Sequence, residues 1–289
     1  MDKISTIILA SSLIIIMLGM GLAMVIDDFK RIIIYPKAIF IGLINQLILL
    51  PLIGFALVAI FPLEPEIAIG VMILAACPGG PTSNLITHLA KGDTALSVTL
   101  TAISSFITIL TIPFIVNWSL KYFLKEGQII RLNAIETIIR IFVIIVVPII
   151  IGMLIRYYKE GFAKKMEKPV RIASAFVLAL VIIGIIVKEK DNFISYFQQA
   201  GLVTLALNVL TMLLGFFSSK LFKITQKRAI AISIESGIQN GTLAISIAVV
   251  LLASTKFAIA PAVYSLIMFF TGGLIIYFGI KRSKANSSS

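Results

Sequence analysis

Three short stretches of a strongly apolar chain hold most of the residues that could do chemistry. CPGGPTSN (Cys77–Asn84) sets two glycines between two prolines and follows them with Thr82, Ser83 and Asn84. SIESGIQNGT (Ser233–Thr242) holds Glu235, Gln239 and Asn240 among serines and glycines. KGDTALSVTLTAISS (Lys91–Ser105) brings Ser97 and Thr101, which lie four residues apart and so share one helical face. Asn45 and Gln46 add two amides within GLINQLILLP. Together these residues supply neutral oxygens and one carboxylate, a ligand set suited to a hard monovalent cation. Zinc and copper fit poorly, because Cys77 and His88 are the only cysteine and histidine in the chain. A single cysteine also rules out an internal disulfide. An intramembrane enzyme would need a nucleophile–base pair or a carboxylate dyad. The one other carboxylate in an apolar segment is Glu136, near a segment end and four residues from a natural partner, Arg140.

The elements that must position these residues are membrane spans. Of 289 residues, 59% are hydrophobic and 13% charged, about half the charged fraction of a soluble domain. The mean hydropathy is +1.08. Nine apolar segments are expected, at 4–26, 38–61, 67–90, 94–118, 133–155, 172–187, 201–222, 229–254 and 257–280. Most have the length of a spanning helix. The first is too long for the apolar core of a secretion signal and has no clear cleavage site, so it reads as a span. The sixth is short and must either begin before Arg171 or extend through Lys188–Asn192. The fold class that follows is an all-α membrane protein forming a single integral domain over 1–289.

Basic residues orient the spans. With nine spans and a cytoplasmic C-terminus, most of the 25 lysines and arginines fall inside, among them Lys30, Arg31, Lys37, Lys164, Lys165 and Lys168. Fewer fall outside, among them Lys121, Lys125 and Arg131. This is the positive-inside bias. It accounts for the net charge of +12 without nucleic acid. The N-terminus is then outside.

The third and eighth segments carry the polar clusters near their midpoints. Proline removes a backbone donor, and non-helical backbone at membrane depth survives only where protein or a water-filled cavity satisfies it. A kinked but continuous helix is the simpler reading of the Pro–Gly run alone. Glu235 weighs against it, since a carboxylate in mid-span is costly and marks a pathway or a partner. Both segments therefore read as broken helices, and each is third in a group of four (spans 1–4 and 6–9). That order suits inverted repeats, whose broken helices place dipole ends and free carbonyls at the midplane. Asp93 is the expected N-cap of the fourth span.

With these residues in view, a resemblance is clear. CPGGPTSNLITHLAKGDTALSVTLTAIS (Cys77–Ser104) resembles the signature region of the bile acid:sodium symporter family. IESGIQNGTLA (Ile234–Ala244) resembles its second signature, and FKRIIIYPKAIFIGLINQLILLPLIGF (Phe29–Phe55) its early region. The resemblance runs over nearly the whole chain. It implies an inverted-repeat transporter whose two broken helices cross in a core domain, here 38–118 and 201–280. A panel domain would come from 4–26 and 133–187. It implies two sodium ions and no organic cofactor. One ion would be held by Ser83, Asn84, Ser97, Thr101 and Glu235. The other would be held by Gln46, Glu235 and Gln239 with the carbonyls of Ser236 and Ile238. Pro81, Thr82 and Asn240 would face the substrate. Against the family pattern, in which bacterial members often have ten helices and some have nine, nine are expected here without the first; Pro81 replaces a frequent Thr, and Ser236 replaces a frequent apolar residue.

The function so implied is sodium-coupled symport of a small organic anion, a bile acid or another carboxylate, by alternating access. The setting would be the lipid bilayer of the inner cell membrane, with no nucleic acid and no obligate protein partner. An arsenite-type or proton-coupled exporter of related fold is the alternative, with Cys77 beside the first break as its reactive thiol.

Overall fold

The computed structural model describes residues 3–124, 134–188, 190 and 193–287. The expected outer-side residues Lys125 and Arg131 lie outside these, as does the end of the serine-rich tail. The described residues are helical almost throughout. The first helix, α1 (Lys3–Ala23), turns at Met24–Val25 into α2 (Ile26–Ile34). Asp28 makes this elbow. Its carboxylate accepts from the Val25 N–H and pairs with Arg31 at 2.9 Å, and its carbonyl accepts from Thr99. Burial pushes the Asp28 carboxyl above the ordinary carboxylate range, against the pull of Val25 and Arg31.

A long helix follows in two parts, α3 (Pro36–Ile44) and α4 (Leu50–Ile60), joined by a wide turn over Asn45–Leu49. There the Leu50 N–H donates to the Asn45 carbonyl, five residues back. Pro51 cannot donate, and the wider turn absorbs the fault. Turns of this type recur at functional sites, and here Asn45 and Gln46 are both buried. The first interrupted helix is α5 (Pro65–Ala76) and α6 (Pro81–Leu89), with Cys77–Gly80 between. Next comes α7 (Thr94–Phe123), capped as expected: Asp93 Oδ1 accepts from the Leu96 N–H at 3.0 Å.

The chain continues through α8 (Ala134–Ile141), a second wide turn, α9 (Val147–Tyr158) and α10 (Glu160–Lys188). The short sixth segment thus begins well before Arg171. Glu136 and Arg140 pair at 2.6 Å on an exposed face. Then come α11 (Phe193–Leu221), α12 (Gln226–Gly237), the second interruption at Ile238–Asn240, and α13 (Gly241–Ser246), which runs on through a wide turn over Ile247–Leu251. The last helix is α14 (Ile259–Ser287). Among the described residues, five helices are long and apolar enough to cross a membrane: Pro36–Ile60, Thr94–Phe123, Ile138–Tyr158, Ile194–Leu221 and Lys256–Lys281.

Packing falls into two groups. α1 packs chiefly on α9 and α10, while α5, α6 and α12 pack among α7, α11 and α14. The two interruptions meet inside the second group. The Asn240 N–H donates to the Pro78 carbonyl at 2.9 Å, and Gly79 pairs with Gln239 as an isolated antiparallel bridge. Gly79 must be glycine, because a Cβ there would enter the Glu235 carboxyl group.

In the first group, α1 and α9 touch backbone to backbone at Gly21 and Gly152. A Cβ at Gly152 would strike the Leu18 carbonyl and Gly21. Small residues that permit such approach are how membrane helices associate. Gly152→Ala should therefore destabilise the protein by about 1–3 kcal/mol, read as a lower unfolding temperature in detergent. Gly184→Ala, where no described atom beyond the adjoining residues and backbone of its own helix lies within 4 Å of the new Cβ, should be neutral or gain up to about 1 kcal/mol from helix propensity.

Candidate functional site

Glu235 lies near the end of α12, buried to 2% exposure. Its carboxylate is met by side chains from two other helices. Ser83 Oγ on α6 and Ser97 Oγ on α7 reach Oε2 at 2.7 and 3.1 Å. Thr101 Oγ1 reaches Oε1 at 2.5 Å. Each of these hydroxyls has a second acceptor: Ser83 the Gly80 carbonyl at 2.7 Å, Ser97 and Thr101 the Asn84 Oδ1 at 2.8 and 3.2 Å. A hydroxyl carries one proton. Three protons are thus shared over twice as many close oxygen contacts, and the cluster has an excess of lone pairs. This geometry can hold a cation directly. All five residues expected in the first group come together, and Ser97 and Thr101 do share the α7 face turned to Glu235.

The second group assembles on the other side of the crossing. Gln46 Nε2 donates to the Cys77 carbonyl at 2.9 Å and to Gln239 Oε1 at 2.7 Å. Gln239 Nε2 donates to the Ser236 carbonyl at 2.8 Å and is 3.4 Å from both the Glu235 carbonyl and Gln46 Oε1. The amides of Gln46 and Gln239 thus close on each other and on the loose carbonyls around both breaks. Glu235 contributes its backbone carbonyl here, while the hydrogen bonds of its carboxylate go to the first group. Ile238 is buried at the break, and its N–H donates to the Ile234 carbonyl.

A cavity of about 550 Å³ adjoins both groups, within the range of small-molecule sites. Pro81, Thr82 and Asn240 line it, and so do Asn84 of the Glu235 cluster and Gln239 of the amide cluster. Its facing wall is apolar, with Ile16 and Met20 of α1, Met24 of the turn after it and Phe269 of α14. Asn240 caps α13 through Oδ1, which accepts from the Leu243 N–H at 3.0 Å. Its Nδ2 is buried and unpartnered. Cys77 is fully buried in the apolar core.

Sequence reasoning missed several residues of this region. Thr87 is buried and donates to Ser97 Oγ at 3.3 Å; it stands four residues after Ser83, a spacing that puts it on the same face. Asn208 and Tyr264 both donate to the Gly237 carbonyl, at 2.6 Å each, and so satisfy the end of α12. Asn208, an amide within the apolar run LALNVLTML, was visible as an anomaly. Tyr264 gave no signal, since tyrosine near a span is ordinary.

Residues 10–196 match the Sodium Bile acid symporter family. The chain is 31% identical over 282 residues to an uncharacterized sodium-dependent transporter of Bacillus subtilis, covering 95% of this chain and 84% of that protein. It is 26% identical over 293 residues to the human ileal sodium/bile acid cotransporter, covering 82% of it. A probable sodium/metabolite cotransporter of Arabidopsis thaliana chloroplasts is 28% identical, and this chain spans 57% of its length. The chain belongs to the sodium bile acid symporter family and, with it, to the sodium-dependent membrane transporters.

Proposed function

We propose that the protein is a nine-span symporter of the inner cell membrane that couples a small organic anion to sodium by alternating access. The observation that carries this reading is the excess of acceptor oxygens around Glu235. Two sodium ions are its co-substrates. One sits among Ser83, Asn84, Ser97, Thr101 and Glu235, where a positive charge replaces the protons the hydroxyls cannot supply. The other sits at Gln46 and Gln239 with the carbonyls of Ser236 and Ile238. A half-turn of each facing amide there exchanges donors for oxygens.

Coupling follows from shared residues. Asn84 and Gln239 each belong to an ion group and also line the cavity. Ordering them around sodium shapes the substrate wall at the same time, so each ligand lowers the cost of binding the other. The anion lies against Pro81, Thr82 and Asn240, near the N-terminal ends of α6 and α13, whose dipoles favour negative charge. The cavity lies between the crossing and the α6–α7 turn, the end that the basic residues put in the cytoplasm. This is the arrangement of an inward-facing form. The core of 38–118 and 201–280 then moves against the panel of 4–26 and 133–187, consistent with the two packing groups. The N-terminus is outside and the C-terminus inside.

Sodium that binds only the folded form must stabilise it, by about 2.7 kcal/mol at a hundredfold excess over Kd. The unfolding temperature of the wild type should rise in sodium relative to equal potassium or choline. Glu235→Gln should lose that rise while still inserting and folding; an unchanged sodium response in this variant defeats the assignment. The double variant Ser97→Ala, Thr101→Ala removes two oxygens from one ion only. It should raise the half-saturating sodium concentration about tenfold or more and leave a residual response. Cys77→Ser should retain sodium-driven uptake in proteoliposomes, since the thiol is sealed in the core; loss of uptake would favour thiol-based export instead.

A further inference from the structure

Among the described residues, His88 is the one ionisable side chain lining the cavity. It is exposed there, and among the described residues its ring has no hydrogen-bond partner. It stands on α6 seven residues after Pro81, which is two turns and so the same face. The offset along the helix is roughly 10 Å. Asn84 and Leu85, between them on that face, also line the cavity. At the upper end, the buried Asn240 Nδ2 is a donor without an acceptor. Asn240 is 6% exposed, and its side chain packs beside Gly80 at the start of α6. Pro81 and His88 thus mark two ends of the cavity along α6, with the Asn240 amide just behind the first, hydroxyls of Thr82, Thr94 and Thr242 in the lining, and an apolar wall from α1.

We infer that His88 is a specificity-determining residue of the cavity. It recognises a second acidic group on the substrate, about two helical turns from the one held at Asn240. The substrate class is an elongated acid with negative or strongly accepting groups at both ends and an apolar middle. This rests on the reading of the cavity as the anion site. A short monocarboxylate satisfies Asn240 alone. A longer diacid satisfies both donors and lays its methylenes against Ile16 and Met20. An apolar residue at position 88 takes the imidazole away from the second acidic group, and a charged group left unpaired costs far more than a missing contact.

The test uses the purified full-length protein and straight-chain dicarboxylates from succinate to sebacate, each beside the monocarboxylate of equal carbon number. The reading is the acid concentration giving half the maximal thermal shift, taken in sodium and in choline. In the wild type, a diacid of intermediate length should bind about tenfold more tightly than its monoacid. His88→Phe should reduce that ratio to near one. His88→Gln, which keeps a donor, should retain most of it and guards against a merely disrupted helix. An unchanged ratio in His88→Phe overturns the inference, as does equal binding of mono- and diacids at every length in the wild type. The sodium coupling is tested separately by the response to sodium without any acid. If that response is absent while the diacid preference depends on His88, the coupling fails and the inference stands.

Discussion

Cys77–Gly80 and Ile238–Asn240 leave backbone N–H and carbonyl groups unpaired by any helix, in a region with no bulk water to accept them. The two interruptions satisfy each other. Pro78 accepts from Asn240 across the crossing, and Gly79 pairs with Gln239. What remains is met by side chains: Gln46 at Cys77, Asn208 and Tyr264 at Gly237, Gln239 at Ser236. Most of the polar residues buried near the crossing answer this one requirement. It also explains why they arrive from so many helices, since a single helix cannot surround a crossing.

Glu235 is the second consequence. It stands on α12 beside the break, where α6 and α7 can both reach it, and three hydroxyls from those helices converge on its two oxygens. The carboxylate is thereby the tie between both interrupted helices and α7. Asn84 bonds to the hydroxyls around Glu235 and Gln239 bonds to Gln46, and both also line the cavity wall, so the packing of the crossing and the shape of the cavity are tied together.

The second packing group plays a different part. α1 and α9 approach closely through glycines at 21 and 152, and α1 presents an apolar face to the cavity. The polar machinery lies on the other side. A boundary with chemistry on one wall and a plain surface on the other suits relative movement, because little hydrogen bonding has to break when the walls part. The elbow at Asp28 carries the chain from one group to the other through short contacts to Val25, Arg31 and Thr99.

Membrane character, the positions of the five long apolar helices, the two interruptions and the oxygen-rich residues were legible in the sequence. Each is local: apolar run length, a Pro–Gly cluster, a capping Asp93, two hydroxyls four residues apart. The resemblance of two long motifs carried the family assignment. What the sequence left open was every question of partner. That α10 begins at Glu160, that Asn45 starts a wide turn, and that Thr87, Asn208 and Tyr264 serve the crossing depend on neighbours distant in the chain. The same holds for His88, an unremarkable residue near a helix end until α1 and α14 enclose a cavity around it. Sequence signals report what one segment does to its own backbone. Which oxygen meets which proton is decided where three helices meet, and only the packed structure brings those atoms within 3 Å of each other.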